Sequence, residues 1–172
     1  MPELIKLFSQ EDIENKIADI ARQISISYKD KQPVFIGVLK GAFLFFADLV
    51  KRVTIPIEID FIGISTYGKN NCSGHRVKVT KHIETDIKDR HILIVEDIID
   101  TGLTLQFLIN YLAIFHPKTI HVCALIEKHE QRIYNHTSHY VCYHITEGFV
   151  VGYGLDYAEN YRNLPAIYRL FN

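Results

Sequence analysis

The sequence predicts an α/β fold, with a mainly parallel sheet flanked by helices. Three observations carry that prediction. Short apolar runs bounded by Pro, Gly or charged residues recur along the chain, as fully buried strands do. Segments with helical spacing lie between them. The alternation of the two kinds argues for a parallel sheet covered on both faces.

The elements follow in order. Ile13, Ile17, Ile20 and Ile24 recur at helical spacing behind Ser9, a good N-cap with Asp12 three residues on. Pro33 then punctuates, and Val34–Leu39 is an apolar run closed by Gly41 one residue beyond Lys40. Gly41 to Val50 reads as a helix, and Ile57–Ser65 as an isoleucine-rich strand. Thr66–Gly74, with two Gly and two Asn, has the composition of a mobile loop. Arg76–His82 alternates polar and apolar residues as a half-exposed strand would, with Arg76, Lys78 and Lys81 as its solvated face. His91–Val95 is a second buried strand. It leads through Glu96–Thr104 into a helix reaching about His116, where Pro117 stops it. Thr119–Ile126 is a third buried strand, and Tyr140–Ile145 and Phe149–Tyr153 add two more.

Length and composition set the bounds. The chain of 172 residues fits one domain at roughly 150 residues per domain, and residues 1–172 show no repeat or linker. Apolar residues at 48% and charged residues at 23% exclude disorder. The longest apolar stretches, around Val34–Leu39 and Ala42–Ala47, are far too short to span a membrane. No apolar leader is visible in the first dozen residues, so no signal peptide is expected. The cysteines (Cys72, Cys123, Cys142) are odd in number and form no CxxC, which favours reduced thiols in a cytoplasm. A net charge of −1 with interspersed signs argues against a dedicated nucleic-acid binder.

The chemistry concentrates in Ile94–Thr104, IVEDIIDTGLT. An apolar strand ends in adjacent carboxylates, Glu96 and Asp97. Asp100 then opens a Thr-Gly-Leu-Thr turn into a helix. Open α/β sheets bind ligands beyond the carboxyl ends of their strands. Such a turn can aim backbone N–H groups and the hydroxyls of Thr101 and Thr104 at a phosphate, helped by the helix N-terminus. Glu96 and Asp97 suit vicinal sugar hydroxyls, directly or through a hard divalent cation. The segment therefore describes a phosphorylated-sugar site. It also fits a plain strand–loop–helix junction with solvated acids and Asp100 as N-cap, and spacing alone does not separate the two. Other motifs fail: Leu103 stands where a Walker loop needs lysine, and Tyr157 where a dinucleotide fingerprint needs Gly or Ala. His129-Glu130 meets Ile133 where a zincin helix needs histidine, and His136, His139 and His144 lack the spacing of a closed zinc site.

IVEDIIDTGLT closely resembles the phosphoribosyl-diphosphate (PRPP) signature of purine phosphoribosyltransferases, in the form typical of the hypoxanthine-guanine enzymes. Leu39-Lys40-Gly41 resembles that family's pyrophosphate loop, Thr66-Tyr67 its mobile-loop Ser-Tyr, and Lys128 its base-reading lysine. Phe149–Asp156 resembles its base-stacking and metal segment, with Arg162 at its pyrophosphate arginine. These pieces run in family order over about three quarters of the chain. The resemblance implies a type I phosphoribosyltransferase-like fold, with a small hood from the N- and C-terminal segments. It implies transfer of a ribosyl phosphate from PRPP to N9 of hypoxanthine, and of guanine, with release of pyrophosphate.

The resemblance also implies the following roles, residue by residue. Asp100 takes the general-base position. Glu96, Asp97, Asp100, Thr101, Gly102, Leu103 and Thr104 bind the phosphorylated ribose, with Leu103 replacing a lysine of some members. Lys40, Gly41, Thr66, Tyr67 and Arg162 bind pyrophosphate, the Leu39–Lys40 peptide being one that is often cis in the family. Lys128, Phe149, Val150 and Asp156 bind the purine, and Glu96, Asp97 and Asp156 hold Mg2+. The partners implied are PRPP and a 6-oxopurine, with no stable nucleic acid and no membrane, in a cytoplasmic homo-oligomer (dimer or tetramer). A xanthine- or guanine-preferring enzyme stays open as an alternative. So does a PRPP-sensing regulator that binds RNA, which would need a basic face and would not need Lys128, Phe149 and Asp156 together.

Overall fold

The computed structural model describes residues 3–67, 76–128 and 137–171. Along the chain run β1 (Glu3–Phe8), α1 (Gln10–Ser27), β2 (Val34–Leu39), α2 (Phe43–Val50), β3 (Glu58–Tyr67) and β4 (Arg76–Lys81). They are followed by β5 (His91–Ile99), α3 (Leu103–Ala113), β6 (Thr119–Lys128), β7 (Tyr140–Ile145), β8 (Phe149–Val151) and β9 (Ile167–Phe171).

Six strands form the central sheet in the order β4-β3-β2-β5-β6-β7. All neighbours are parallel except β4, which pairs antiparallel to β3. Alternation along the buried strands sends side chains to both faces. Phe35, Leu93 and Val95 meet Ile13, Ile17, Ile24, Phe45 and Leu49 of α1 and α2 on one face. Val34, Ile36, Ile92 and Ile94 meet Leu105, Leu108 and Leu112 of α3 on the other. Each such side chain stabilises the fold by about 1.5–3 kcal/mol through burial. At its start, α1 carries a reciprocal cap: the Asp12 N–H donates to Ser9 Oγ at 3.1 Å and the Ser9 N–H to Asp12 at 2.9 Å.

The expected hood is a second sheet, antiparallel, in the order β1-β9-β8. Sequence patterning assigned no element to two of its strands, the edge strand β1 and the central strand β9, which pair Glu3 with Phe171 across almost the whole chain. Phe8 stacks on Tyr143 of the edge strand β7 at 3.8 Å, and the Tyr153 hydroxyl, just after β8, donates to Asp48 of α2 at 2.5 Å, which ties the hood segments to the main layer.

Several boundaries differ from the sequence reading. The strand read as His91–Val95 continues through the acidic pair to Ile99, because the ladder to β6 persists at Glu96–Ala124 and Ile98–Ile126. The helix expected to reach His116 ends at Ala113, and His116 itself has φ +54°. α2 begins at Phe43, two residues later than expected, and β8 stops at Val151 rather than Tyr153. Lys81 is not simply solvated: its ammonium donates to Phe61 O at 3.2 Å and to the Asp60 carboxylate at 3.5 Å. Burial alone would raise the Asp60 pKa, but the N–H groups of Thr85, Glu84 and Phe61 and the Lys81 charge outweigh it and hold the acid below the usual range. Thr66 and Tyr67 close β3, and the rest of the expected mobile loop, with Cys72, lies outside the described residues. Among the described residues no helix is long and apolar enough to cross a membrane.

Candidate active site

The chain winds from β2 outward to β3 and from β5 outward to β6 in the opposite direction, so the sheet order reverses between β2 and β5. Ligands bind in open sheets at that switch point, beyond the carboxyl ends of the strands. A cleft of about 320 Å³ opens there, lined by Leu39, Gly41, Glu96, Asp97, Thr104, Asp156 and Arg162 among others. A second cavity of about 210 Å³, lined by Glu96 and by Asp100 to Leu105 without Leu103, adjoins it. A larger apolar groove beside α1, about 610 Å³, includes Ala18, Ile26 and Ile55 and none of the cleft acids.

Glu96 is only 6% exposed, and Asp97 beside it is half-buried. The Asp97 N–H donates to Glu96 Oε1 at 3.2 Å and the Ile98 N–H to Asp97 Oδ1 at 2.8 Å. Burial, then the adjacent Asp97 charge, push Glu96 well above the usual carboxylate range. Burial raises Asp97 too, with the hydrogen bonds from Glu96 and the backbone and the charge of Arg162 limiting the rise. Both carboxyls are therefore harder to ionise than usual, Glu96 the more so. Two carboxylates crowded at this cost fit a divalent cation, whose charge would favour their ionised forms. Among the described residues no three candidate ligands cluster closely enough to cage an ion by themselves. The third expected ligand, Asp156, lines the same cleft but is engaged by Arg162 at 2.8 Å.

The turn after β5 is built for close approach. Gly102 sits at φ +81° as the residue before α3, a conformation that favours glycine. Asp100 is thus not the N-cap, and the plain-junction reading loses its main support. The Leu103 N–H donates to Thr101 Oγ1 at 3.3 Å, folding the turn around the smaller cavity. Asp100 accepts from Lys128 Nζ at 3.3 Å through Oδ2, while its Oδ1 is buried with no partner among the described residues. Lys128, last residue of β6, has a side chain only 12% exposed.

On the opposite wall the Leu39–Lys40 peptide is cis. Lys40 points its ammonium at Glu159 Oε2, 2.8 Å away. Arg162 spreads its fork: Nη1 donates to Gly154 O at 2.8 Å, Nη2 bonds Asp156 at 2.8 Å and reaches Glu159 at 3.5 Å, and buried Nε has no partner among the described residues. The Lys40 hydrogen bond holds Glu159 below the usual carboxylate range. Gly41 is required by contact, since a Cβ there would overlap the Asp97 carboxylate. Phe149 is 47% exposed and meets the Tyr157 ring edge-on at 5.4 Å, while the Val150 side chain is packed in the core.

Comparison with known proteins bears on this geometry directly. The family model of the phosphoribosyl transferase domain matches residues 6–158. A hypoxanthine-guanine phosphoribosyltransferase of Streptococcus pyogenes is 44% identical over 94% of this chain and 89% of its own length. A hypoxanthine phosphoribosyltransferase of Haemophilus influenzae is 41% identical over 94% of this chain and 92% of its own. The chain belongs to the hypoxanthine-guanine phosphoribosyltransferase family. A crystal structure of such an enzyme from Bacillus anthracis superimposes with a TM-score of 0.92, at 39% identity over the full length of both chains.

For a phosphoribosyltransferase of this family, the grouping of sequence-predicted residues is informative. Leu39, Gly41, Glu96, Asp97, Thr104, Asp156 and Arg162 share one cleft, though they come from three distant stretches. Asp100 and Lys128 meet each other at its edge. The side chains of Thr66 and Tyr67 lie outside what the structure describes. Of the loose histidine trio, His139 stacks on His121 at 3.9 Å, His144 lies 3.5 Å from Glu127, and His136 is outside the described residues. Cys123 and Cys142 are free and buried. Sequence reasoning missed Glu159, which contacts both expected pyrophosphate cations, and Tyr153, which anchors the segment bearing Asp156.

Proposed function

We propose that this chain, working as one domain, transfers the 5-phosphoribosyl group of PRPP to N9 of hypoxanthine, and of guanine, to give IMP or GMP and pyrophosphate in purine salvage. The observation that carries the residue assignment is the Asp100 carboxylate, with one oxygen on the buried Lys128 ammonium and the other buried and unpartnered. A buried acceptor without a donor is costly, and a ligand N–H is the natural partner for it.

In this reading Lys128 donates to the six-position carbonyl oxygen of the base, and the free oxygen of Asp100 takes the N7 proton. The N9–C1′ bond forms as the bond from C1′ to the pyrophosphate oxygen breaks, through an oxocarbenium-like transition state. Orientation and charge stabilisation are then the protein's main contributions. The turn from Thr101 to Thr104 receives the 5′-phosphate with backbone N–H groups, including that of Leu103, and hydroxyls at the start of α3. Phe149 stacks on the purine, and Val150 contacts it through its main chain. Lys40, Arg162 and the Gly41 backbone receive pyrophosphate, and the Thr66-Tyr67 end of β3 closes over it to exclude water. Glu96 and Asp97 would hold one Mg2+ and Asp156 a second, and these ions would supply positive charge to the phosphorylated sugar. The chain acts in the cytoplasm as a homo-oligomer, a dimer or tetramer. A steady-state assay of PRPP with hypoxanthine, guanine, xanthine and adenine tests the proposal. Turnover with the first two is expected, and absence of turnover with both would end it.

A further inference from the structure

Glu159 occupies an unexpected position. Its two carboxylate oxygens are divided between the two cations of the proposed pyrophosphate site, Oε2 at 2.8 Å from Lys40 and Oε1 at 3.5 Å from Arg162. Those cations lie 122 residues apart in the chain, yet one side chain bridges them. The bridge is set up by the backbone: Ala158, Glu159 and Tyr161 have φ of +50°, +64° and +76°, a region non-glycine residues seldom enter. Such backbone clusters where function over-determines it. The Glu159 N–H donates to Asp156 at 2.9 Å, so the turn that presents Glu159 is fixed on an acid of the cleft.

We propose that Glu159 is an internal stand-in for pyrophosphate, a carboxylate that pairs Lys40 and Arg162 when the diphosphate is absent and must be displaced when it binds. This rests on the proposed pyrophosphate role of those two cations. The chemistry suits a replaceable anion. The side chains of Lys40 and Glu159 are 67% and 65% exposed, so water weakens their attraction. A diphosphate brings several negative charges and more acceptor oxygens than one carboxylate, and it meets the Arg162 fork in a matching geometry. Glu159 therefore competes with every diphosphate that enters. It lowers the affinity for PRPP and for pyrophosphate, and it offers both cations a partner as pyrophosphate leaves.

Calorimetric titration of the full-length protein with inorganic pyrophosphate, in buffer containing magnesium, tests this. Glu159→Gln removes the charge but keeps the shape. It is expected to bind pyrophosphate about 3- to 10-fold more tightly than wild type, the effect of removing a competing pair of exposed ion pairs. Glu159→Asp keeps the charge but shortens the bridge, and should fall between. In a Lys40→Gln background the gain from Glu159→Gln should shrink, because one of its two partners is gone. Unchanged or weaker binding in Glu159→Gln overturns the proposal and leaves the site reading intact. An equal gain with and without Lys40 also overturns it, since Glu159 would then act by general charge alone. If Lys40→Gln binds pyrophosphate as tightly as wild type, the reading of the site fails, and this proposal falls with it.

Discussion

Two ion pairs hold sequence-predicted site residues, and the shorter one is the more exposed to water. Lys40 and Glu159 are 2.8 Å apart with side chains 67% and 65% exposed, whereas Lys128 and Asp100 are 3.3 Å apart with side chains 12% and 39% exposed. In water-like surroundings a contact pair is screened and contributes little. Away from water the same charges interact several-fold more strongly, and a group left without its partner becomes expensive. In the function proposed above, the less exposed pair would read and deprotonate a base, where a wrong partner must cost much. The exposed pair would serve exchange, giving up its partner on every turnover. Distance alone would rank them the other way.

The largest expected effect lies at the buried pair. Asp100→Asn should lower turnover by about 10²–10⁴-fold, the usual range for a positioned acid or base, while changing PRPP affinity much less. Retention of more than half of wild-type turnover would remove the base assignment and with it the functional contrast between the pairs. Next comes the ground between them. Gly41→Ala would drive a methyl into the Asp97 carboxylate, and overpacking of this kind costs about 1–3 kcal/mol. Lower thermal stability and a raised KM for PRPP should appear together, and wild-type values for both would show that the wall bearing Lys40 yields freely.

A smaller effect concerns the acidic pair. Burial and the Asp97 charge raise Glu96 in the folded state, so above the ordinary carboxylate range the folded chain binds more protons than the unfolded one. Stability without metal therefore falls as pH rises from the unfolded pKa towards the raised folded one. Glu96→Gln removes that titration. Its metal-free melting temperature should exceed that of wild type at neutral pH, by about 2–4 °C for each kcal/mol relieved, and the difference should shrink towards about pH 4. Identical pH profiles for the two proteins would show that the pair carries no such strain.

Much of this was legible from local pattern. Val34–Leu39, His91–Val95 and Thr119–Ile126 are apolar on both faces and could only be central strands of a covered sheet. IVEDIIDTGLT exposes its chemistry in one contiguous stretch. The errors have physical causes. Acids were read as ending β5 because they suit solvent, yet the parallel ladder to β6 continues past them to Ile99. β1 and β9 were missed because each is short and mixed in character, and their order comes from a partner at the other end of the chain. Glu159 was invisible for a similar reason. Nothing near it in sequence announces Lys40, and its positive φ belongs to a residue type that gives no warning of it.

The buried pair offers the most direct measurement, the ratio of kcat/KM for hypoxanthine to that for adenine, taken for wild type and for Lys128→Gln. An ammonium only donates. It is matched by the carbonyl oxygen of hypoxanthine and opposed by the amino group of adenine. A site built to bond one group can reject its analogue by about 10⁴-fold. The wild-type ratio should therefore be at least about a thousand. Lys128→Gln, whose amide both donates and accepts, should lower hypoxanthine use and narrow the gap. Comparable wild-type values for the two bases would contradict the role of Lys128 and the salvage function built on it.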